Sequence, residues 1–513
     1  MPLQLPSSDP QPLPPGLQRS DAFHRQPLFS VGAHFVRSWN EAHALHGPAS
    51  QADVNPAYVA ALISGNHSAE AAPYRRIRRL PRAHEVQIAG DGSLHSQPYD
   101  PLAEGAGPMA AEALHGFLRQ GLLEHVRRAV ADHRGPIGCE HSSGLDSNAV
   151  LGALVHGLNL PAERLHTWSS EAGGEGEPLQ RFRPFHGLKA EQCHRLHPSP
   201  EPAEQRADDQ LARQLQIFGA PAQIGGMHLV VDMLAAQGCT LLFSGFGGDQ
   251  ALSHNAANVP TDLVAQARWP ELVRWMGSRR RALKTGAGRA LALGCRPWAE
   301  RQVHRRTRDF VRSDILERTL TAAGRTWLGS HLKRRYPWEI DGYLRQHTSI
   351  RRRVLANWVA VRAEEETRLA AAHGMAKAFP LLDERLIATL LRQDPVLFGE
   401  GPGRGRLLHR RAFAPFLPPE LRTNPTKDRE PEGGLEAWRA DLLQKRRQVL
   451  ERQLPALDAL HPALAQWWNL AAIRQETEVI LAKTSPAMKE VMGTSCALAT
   501  LHTLSGWWEA LED

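Results

Sequence analysis

Apolar residues in the middle of the chain alternate between helical stripes and short continuous runs. Between Met109 and Asp132 they recur at every third or fourth position, which predicts an amphipathic helix. Short apolar segments follow around Ile137, in "ERLHTWSS" and in "GCTLLF", and a further helix is expected to start at Asn148. Strands that alternate with helices are typical of a parallel sheet with helices on both faces. We therefore predict an α/β fold for this central region.

The regions that flank this α/β core have different patterns. Residues 1–29 are rich in proline and lack an apolar run, which predicts a flexible tail. Residues 30–108 contain "VQIAGDGSLHS", which predicts two strands around an Asp-Gly turn in a small, shortened α+β domain. Residues 109–513 form the second domain. Its later part is predicted to be helical, with arginine clusters and a long proline- and glycine-rich loop over 417–434.

Composition limits the class of protein. Apolar residues make up 42% of the chain and charged residues 22%, which is ordinary for a soluble globular protein. There is no apolar run long enough for a membrane span and no secretory signal. The five cysteines are scattered without a CxxC pair, so we expect a cytoplasmic protein without a disulfide framework or a zinc site. The net charge of +7 suggests an anionic partner without choosing among nucleotide, nucleic acid and acidic peptide.

The segment "HSSGLDSNAV", which starts at His141, follows the first predicted strand. Its small residues allow successive backbone N–H groups to face one concavity, which suits a phosphate. Ser142 and Ser147 add hydroxyl groups, whereas Asp146 would repel a bare phosphate and therefore suggests a bridging Mg²⁺. The lysine of a Walker loop is missing. A simple capped helix start is the alternative interpretation.

The segment "FSGFGGDQ" repeats this design after a later strand, with Ser244, three glycines and Asp249. Ligands collect at the carboxyl ends of parallel strands, so the two segments together predict one magnesium–pyrophosphate site. Asp146 and Asp249 would then be its carboxylate ligands. A tight glycine turn without a ligand is the alternative.

Together these segments resemble a known enzyme family. "SSGLDS" resembles the SGGxDS loop of the ATP-pyrophosphatases, and "SGFGGDQ" is similar to the SGxGxDE segment of asparagine synthetase-like members. Three further stretches fit the family in the same order, namely "YRRIRRLPRAHEVQIAGDG", "FPLLDERLIATLLRQDP" and "LPPELRTNPTKDREPEGG". The resemblance covers roughly residues 30–440. It implies an adenine nucleotide α-hydrolase-like α/β domain followed by a helical part.

The resemblance also implies a reaction and a set of site residues. Family members use ATP and Mg²⁺ to convert a carboxylate into an acyl-adenylate, release pyrophosphate, and let an amine attack the acyl carbon. The implied cofactor-binding residues are Ser142, Gly144, Asp146, Ser147, Thr167, Trp168, Ser169, Ser244, Gly245 and Gly247, with Thr167–Ser169 at the adenine. Asp146 and Asp249 would hold the metal. Together with Lys427, which would stabilise charge in the transition state, they are the implied catalytic residues.

Three positions depart from the family pattern. Pro2 stands where glutaminase-bearing members have a catalytic cysteine, so residues 30–108 are interpreted as a degenerate glutaminase-like domain. Phe246 stands where the family has a glutamate, and β-lactam-forming relatives a tyrosine, that handles the proton of the amine. Ala376 aligns with another family glutamate. We therefore expect the ATP site to be kept and the machinery for a small amine to be lost.

These departures, together with Gln250 in place of a glutamate, resemble the lasso peptide cyclases. Those enzymes adenylate an Asp or Glu side chain of a precursor peptide, and the N-terminal amine of the peptide closes a macrolactam. An intramolecular amine depends less on a base, because positioning itself lowers the barrier. The resemblance implies a precursor peptide as substrate, with a leader peptidase and a leader-binding protein as partners, and no membrane or nucleic acid.

Other interpretations stay open from the residues alone. An asparagine synthetase-like amide ligase could use ammonia or a small amine. A basic RNA-binding or tRNA-modifying protein would fit the charge, and a pseudoenzyme scaffold would fit Phe246 and Ala376. His141 and His254 flank the motifs as candidates for a base or a phosphate ligand. Glu364–Glu366 are interpreted as a helix face, and Glu175 and Glu177 are weak candidates for a contact to ATP or substrate.

Overall fold

The computed structural model describes most of the chain. Described are residues 13, 16–23, 27–65, 68–91, 93–170, 176–196, 203–223, 228–276, 314–331, 345–400, 405–423 and 434–512. Lys427, Glu175 and the arginine clusters at 279–281, 305–306 and 333–335 lie outside these residues.

Strands and helices are numbered here in chain order. The strands are β1 (Gly16–Arg19), β2 (Phe29–Val31), β3 (His34–Val36), β4 (Ile77–Arg79), β5 (His84–Ile88), β6 (Leu94–Pro98), β7 (Ile137–Glu140), β8 (Leu165–Ser170), β9 (Cys193–Leu196), β10 (Leu241–Phe243) and β11 (Ala376–Ala378). The helices are α1 (Trp39–His46), α2 (Pro56–Ser64), α3 (Ala111–Ala131), α4 (Leu145–Gly152), α5 (Gly176–Phe185), α6 (Ala203–Phe218), α7 (His228–Ala236), α8 (Val259–Ala265), α9 (Trp269–Met276), α10 (Asp314–Thr319), α11 (Ala322–His331), α12 (Gln346–Val354), α13 (Asn357–Ala372), α14 (Glu384–Leu390), α15 (Leu407–Ala412), α16 (Pro419–Thr423), α17 (Gly434–Gln453), α18 (Leu470–Ala482) and α19 (Met488–Glu509).

The central sheet is parallel and has the order β11-β10-β7-β8-β9. It confirms the predicted α/β architecture with a parallel sheet and helices. From β7 the chain adds strands on one side, and from β10 it adds β11 on the other. β7 and β10 are direct neighbours, with Leu241 opposite Ile137. The direction of winding therefore reverses between these two strands, and in open α/β sheets the ligand crevice opens at such a point.

The buried strands account for this sheet. Ile137, Cys139, Leu241 and Phe243 are at most 2% exposed, as expected for parallel strands that are covered on both faces. β9 and β11 were not predicted from the sequence. Each has only three or four residues, and "AKA" carries no continuous apolar run.

The helix after β7 starts earlier than predicted. It begins at Leu145 and not at Asn148, with Gly144 in extended geometry as its N-cap. The prediction failed because Asp146 and Ser147 are poor helix formers that are nevertheless common in a first turn. Their side chains therefore project from a helix N-terminus, where the backbone N–H groups carry partial positive charge.

The N-terminal region contains two small antiparallel sheets, β1-β5-β6 and β3-β2-β4. β5 and β6 form the hairpin that was predicted around the Asp-Gly turn. β1 pairs with β5 through Gly16 to Arg19. A flexible tail over residues 1–29 is therefore wrong at its C-terminal end, because Gly16–Arg19 and Phe29 take part in strands.

The N-terminal region shares a hydrophobic core with the last helices of the chain. Phe29, Trp39 and Tyr58 belong to the same buried cluster as Leu450 and Trp507. Burial on this scale couples the two ends of the chain, since each supplies apolar surface that the other covers. Among the described residues, no helix is long and apolar enough to cross a membrane.

Candidate active site

The two Ser/Gly-rich segments lie side by side at the carboxyl edge of β7 and β10. A β-carbon at Gly245 would lie 2.6 Å from the backbone nitrogen of Ser147. A β-carbon at Gly248 would lie 2.3 Å from Cγ of Asp146. Real β-carbons do not approach other heavy atoms this closely, so glycine is required at both positions for the loops to touch. The sequence prediction that the two segments form one site agrees with this geometry.

Hydrogen bonds within the first loop hold its shape. The Ser142 N–H donates to Oγ of Ser147 (3.1 Å), and the Gly144 N–H donates to Oγ of Ser142 (3.1 Å). Asn148, which is fully buried, donates from Nδ2 to the carbonyl oxygens of Ser142 and Gly144, each at 2.7 Å. Its Oδ1 lies 3.0 Å from Nε2 of His186. Asn148 thus stabilises the conformation of the loop. This residue was not identified from the sequence.

Glu140 connects the two loops. Its Oε2 accepts hydrogen bonds from Oγ of Ser244 (2.8 Å) and from the backbone N–H of Gly245 (3.2 Å). Ser244 is 1% exposed and donates to this carboxylate, so it stabilises the loop and does not line the cavity. Sequence reasoning missed Glu140, although it immediately precedes the motif.

A cavity of 330 Å³ opens between the loops and α13. It is lined by Glu140, Ser142, Gly144, Asp146, Ser147, Gly245, Phe246, Gly247, Asp249, Gln250, Trp358 and Arg362. Seven predicted site residues are therefore brought together here. Thr167, Trp168 and Ser169 lie on β8, next to β7, but do not line this cavity. Their predicted contact to adenine stays a prediction, as does the role of Lys427, which lies outside the described residues.

The two motif aspartates have different surroundings. Asp249 accepts a hydrogen bond from Nη1 of Arg406 at 2.7 Å and from the Ser253 hydroxyl at 3.4 Å. Oδ1 of Asp146 lies 3.7 Å from Nε2 of His409. Burial lowers the pKa of His409 to about 3, so this histidine is neutral at pH 7 and does not neutralise Asp146.

The carboxylates fit a magnesium ion. Asp146 is packed against Gly248, next to Asp249, and Mg²⁺ prefers one or two carboxylates together with phosphate oxygens. In the described part of the chain, no group of three or more His, Cys, Asp or Glu side chains is placed to hold a metal ion alone. A metal here would therefore depend on a phosphate ligand. Because Arg406 pairs with one oxygen of Asp249, binding through that oxygen requires Arg406 to move.

Phe246 and two residues of α13 line part of the cavity with long side chains. The ring of Phe246 makes edge-to-face contacts with Trp358 (5.6 Å between centroids) and Phe379 (6.1 Å). Cζ of Arg362 lies 4.2 Å from the centroid of the Phe246 ring. Trp358 and Arg362 are four residues apart on α13 and therefore share one face of that helix. Helical spacing could have placed them together, but no motif pointed to them.

Glu364–Glu366 are buried and not a solvated helix face. Glu364 pairs with Arg79 of β4 (2.7 Å) and with Arg368 (3.1 Å). Glu366 pairs with Arg362 (2.7 Å) and with Lys377 (3.1 Å). Burial acts to raise the pKa of Glu366, but the charges of Lys377 and Arg362 outweigh it and keep that pKa below its usual range. Glu364 thus joins α13 to β4 through a buried ion pair, whereas Glu366 stands directly behind Arg362, a residue of the cavity.

The flanking histidines are buried and neutral. Burial lowers the pKa of His141 to about 4 and that of His254 to about 3. Nδ1 of His254 lies 2.7 Å from Nε2 of Gln346 and 3.3 Å from the Ala256 N–H, so this ring nitrogen accepts. Neither histidine lines the cavity, and a role for them as a base or a phosphate ligand stays a prediction. Glu177 is the second residue of α5. Gln250 lines the cavity, and its amide oxygen has no donor among the described residues.

Comparison with known proteins identifies the family. Residues 118–502 match the asparagine synthase family, which is most of the chain. A search of curated proteins finds no match. The chain belongs to the asparagine synthase family and is an ATP-dependent amide-forming ligase. Enzymes of this family use ATP with Mg²⁺, in agreement with the small-residue loops and the paired aspartates of the cavity.

Proposed function

We propose that this ligase closes a macrolactam in a peptide, as the lasso peptide cyclases do. In the first step, a side-chain carboxylate of Asp or Glu attacks the α-phosphorus of ATP, and pyrophosphate leaves. In the second step, the N-terminal amine of the same peptide attacks the acyl carbon, AMP leaves, and the amine proton passes to solvent. The peptide loses one molecule of water.

The observation that carries the proposal is Phe246. Its side chain is 8% exposed, lines the cavity and contacts two further aromatic rings. A phenyl group can neither accept the proton of an incoming amine nor orient ammonia by hydrogen bonding. Ala376 on β11 offers no titratable group either. An amine tethered to the acyl group compensates, because a well-oriented intramolecular nucleophile gains on the order of several kcal/mol.

The remaining lining residues can be assigned roles on this basis. The loops of Ser142–Ser147 and Gly245–Asp249 would bind the phosphates, with Asp146 and Asp249 at the metal. Gln250 presents a buried amide oxygen that can accept a hydrogen bond from the N–H of the amine without taking its proton. Lys427 would act on the charge that develops at the acyl oxygen. A precursor peptide, a leader peptidase and a leader-binding protein are the partners that this function requires.

The test compares one peptide in two forms. A candidate peptide with a free N-terminus and one internal acid is incubated with MgATP, and mass spectrometry measures loss of water. Acetylation of the N-terminus should abolish cyclisation while acid-dependent exchange of pyrophosphate into ATP persists. Formation of a side-chain amide from the acetylated peptide and ammonium, at the rate of ring closure, would instead support an asparagine synthetase-like ligase.

A further inference from the structure

The part of the cavity that α13 lines carries a positive charge. Of the described residues that line the cavity, Arg362 is the cationic one, and its side chain is 32% exposed. Three carboxylates, those of Glu140, Asp146 and Asp249, line the same cavity. The cavity therefore combines three carboxylates with one guanidinium among the described residues that line it.

Arg362 is held in place from two sides. Its Nε donates to Oε1 of Glu366 at 2.7 Å, and Lys377 binds the other oxygen of Glu366 at 3.1 Å. Glu366 and Lys377 are 9% and 3% exposed, so this chain of charges is shielded from solvent. Cζ of the guanidinium lies over the Phe246 ring, 4.2 Å from its centroid, which is within the range of a cation–π contact. Glu366 engages Nε of Arg362, and the Phe246 ring lies against the guanidinium. The two terminal nitrogens of Arg362 are therefore the groups that can bind a ligand.

The reaction creates a need for such a cation. A carboxylate must approach the α-phosphate of ATP, and both groups are anionic. Two negative charges about 4 Å apart repel each other, and this repulsion is stronger in a partly buried site than in bulk water. The acidic residues of the phosphate wall add to this repulsion. A guanidinium binds a carboxylate through two parallel N–H groups and keeps its charge at any pH of interest.

We propose that Arg362 binds the substrate carboxylate that is to be activated, and that Phe246 serves as the platform for its guanidinium. This inference rests on the amide-forming activity and deepens the proposed function by naming the group that receives the acid. The inference also assigns a function to the phenyl ring at position 246, which is to support the guanidinium of Arg362. A glutamate there would pair with Arg362 and neutralise it, whereas a phenyl ring supports the guanidinium and leaves its charge available.

The binding test uses two matched nucleotides that need no turnover. One is an acyl-sulfamoyladenosine in which N-acetyl-aspartate α-amide is joined through its side-chain carbonyl, and the other is sulfamoyladenosine without the acyl group. Calorimetry gives the ratio of their affinities, which measures the contacts of the acyl group together with those of the negative charge that acylation gives to the sulfamate nitrogen. We expect Arg362→Gln to reduce this ratio about 10-fold to 100-fold and Arg362→Lys to reduce it less, with the Kd of MgATP unchanged within about 3-fold. Phe246→Glu should behave like Arg362→Gln.

Arg385 provides the control variant. It also pairs with a glutamate, Glu124 at 3.0 Å, and lies over a phenyl ring, that of Phe117 at 5.5 Å, but it is outside the cavity. Arg385→Gln should therefore leave the affinity ratio unchanged. The double variant Phe246→Glu/Arg362→Gln should bind no worse than either single variant, because both remove the same contact.

Each result decides the proposal. If the affinity ratio of the two nucleotides is the same in the wild type and in Arg362→Gln, Arg362 does not contact the acyl group. A ratio of one in both proteins has the same meaning. A weaker Kd for MgATP by the same factor as for the acyl compound would show that Arg362 binds phosphate. Failure of ring closure with an intact affinity ratio would overturn the macrolactam function and leave the role of Arg362 standing.

Discussion

The two walls of the cavity are built in opposite ways. The phosphate wall consists of short residues at the ends of β7 and β10, and backbone groups and glycines determine its shape. The acyl wall consists of Phe246, Trp358 and Arg362, and long side chains with charged residues behind them determine its shape. The shape of the first wall depends on residues with small or no side chains. The shape of the second wall depends on the contacts that its long side chains make. Substitutions should therefore affect the two walls differently.

The largest effect is expected at the carboxylate of the phosphate wall. Asp146→Asn keeps the shape of the side chain but removes its charge, and metal-assisted charge stabilisation contributes several kcal/mol. We expect acid-dependent pyrophosphate release to fall by at least about 1,000-fold. Steady-state release of pyrophosphate measures this, with circular dichroism as the control for folding. A loss below about 10-fold would exclude Asp146 from the metal site.

Gly248→Ala tests whether close contact of the loops is required. The new β-carbon would lie 2.4 Å from Oδ1 of Asp146, so one of the loops must move. A displacement of about 1 Å costs about 100-fold in rate, and we expect a loss of that order in pyrophosphate release. Gly116→Ala on α3 is the matched control, since no heavy atom lies within 4 Å of its added carbon. Equal activity of the two variants would show that the phosphate wall tolerates displacement.

As the pH falls, the contribution of His409, beside the phosphate wall, to the free energy of unfolding should be lost before that of Glu366, behind the acyl wall. His409, whose pKa burial lowers to about 3, is neutral in the folded protein and lies 3.4 Å from the Leu145 carbonyl oxygen. The unfolded chain binds its proton near pH 6.5, so stability falls as pH drops below that value. We expect a loss of about 2 kcal/mol per such histidine between pH 7 and pH 5. Urea unfolding at both pH values measures it.

The variant His409→Gln sharpens this comparison. It should reduce the loss of stability between pH 7 and pH 5 by about 2 kcal/mol relative to the wild type. Glu366 behaves differently because its pKa is lowered from 4.5. The stability it contributes is present above pH 4.5 and is lost only as pH falls through the lowered value. An unchanged pH dependence in His409→Gln would show that folding does not lower the pKa of this histidine.

The smallest effect is expected from Phe246→Leu. Leucine retains the apolar contact but removes the ring under Arg362, and an exposed cation–π contact contributes about 0.5–1 kcal/mol. We expect KM for an acid-bearing peptide to rise about 2-fold to 5-fold with the Kd of MgATP unchanged. A change in kcat with KM constant would mean that the ring acts in the chemical step.

The same contrast explains what the sequence could predict. The phosphate wall was predictable because glycines, serines and aspartates next to short strands leave few alternatives. Seven of the residues predicted from the sequence as site residues line the cavity. The acyl wall was not predictable, because Trp358 and Arg362 lie on a helix whose apolar and charged residues give no functional pattern. The partners of Glu366 could not be predicted either, since Lys377 lies on a strand too short to be recognised.

Pairing of distant segments was equally hidden from sequence reasoning. The strand Gly16–Arg19 lies in a stretch whose proline content predicts a tail, and only its partner β5 reveals it. Burial of Glu364 depends on Arg79, which is far away along the chain. Local pattern identifies elements and loops, whereas such pairings depend on which surfaces meet in the folded chain.

The shared core of the two chain ends has a consequence for biosynthesis. Phe29 and Trp39 leave the ribosome early, while Leu498 and Trp507 of the same buried cluster leave it much later. At about 5–20 residues per second, the wait is on the order of tens of seconds. During that time the β3-β2-β4 sheet presents an uncovered apolar face to solvent. Translation speed and chaperone supply should therefore determine the yield of this protein more strongly than its final stability does.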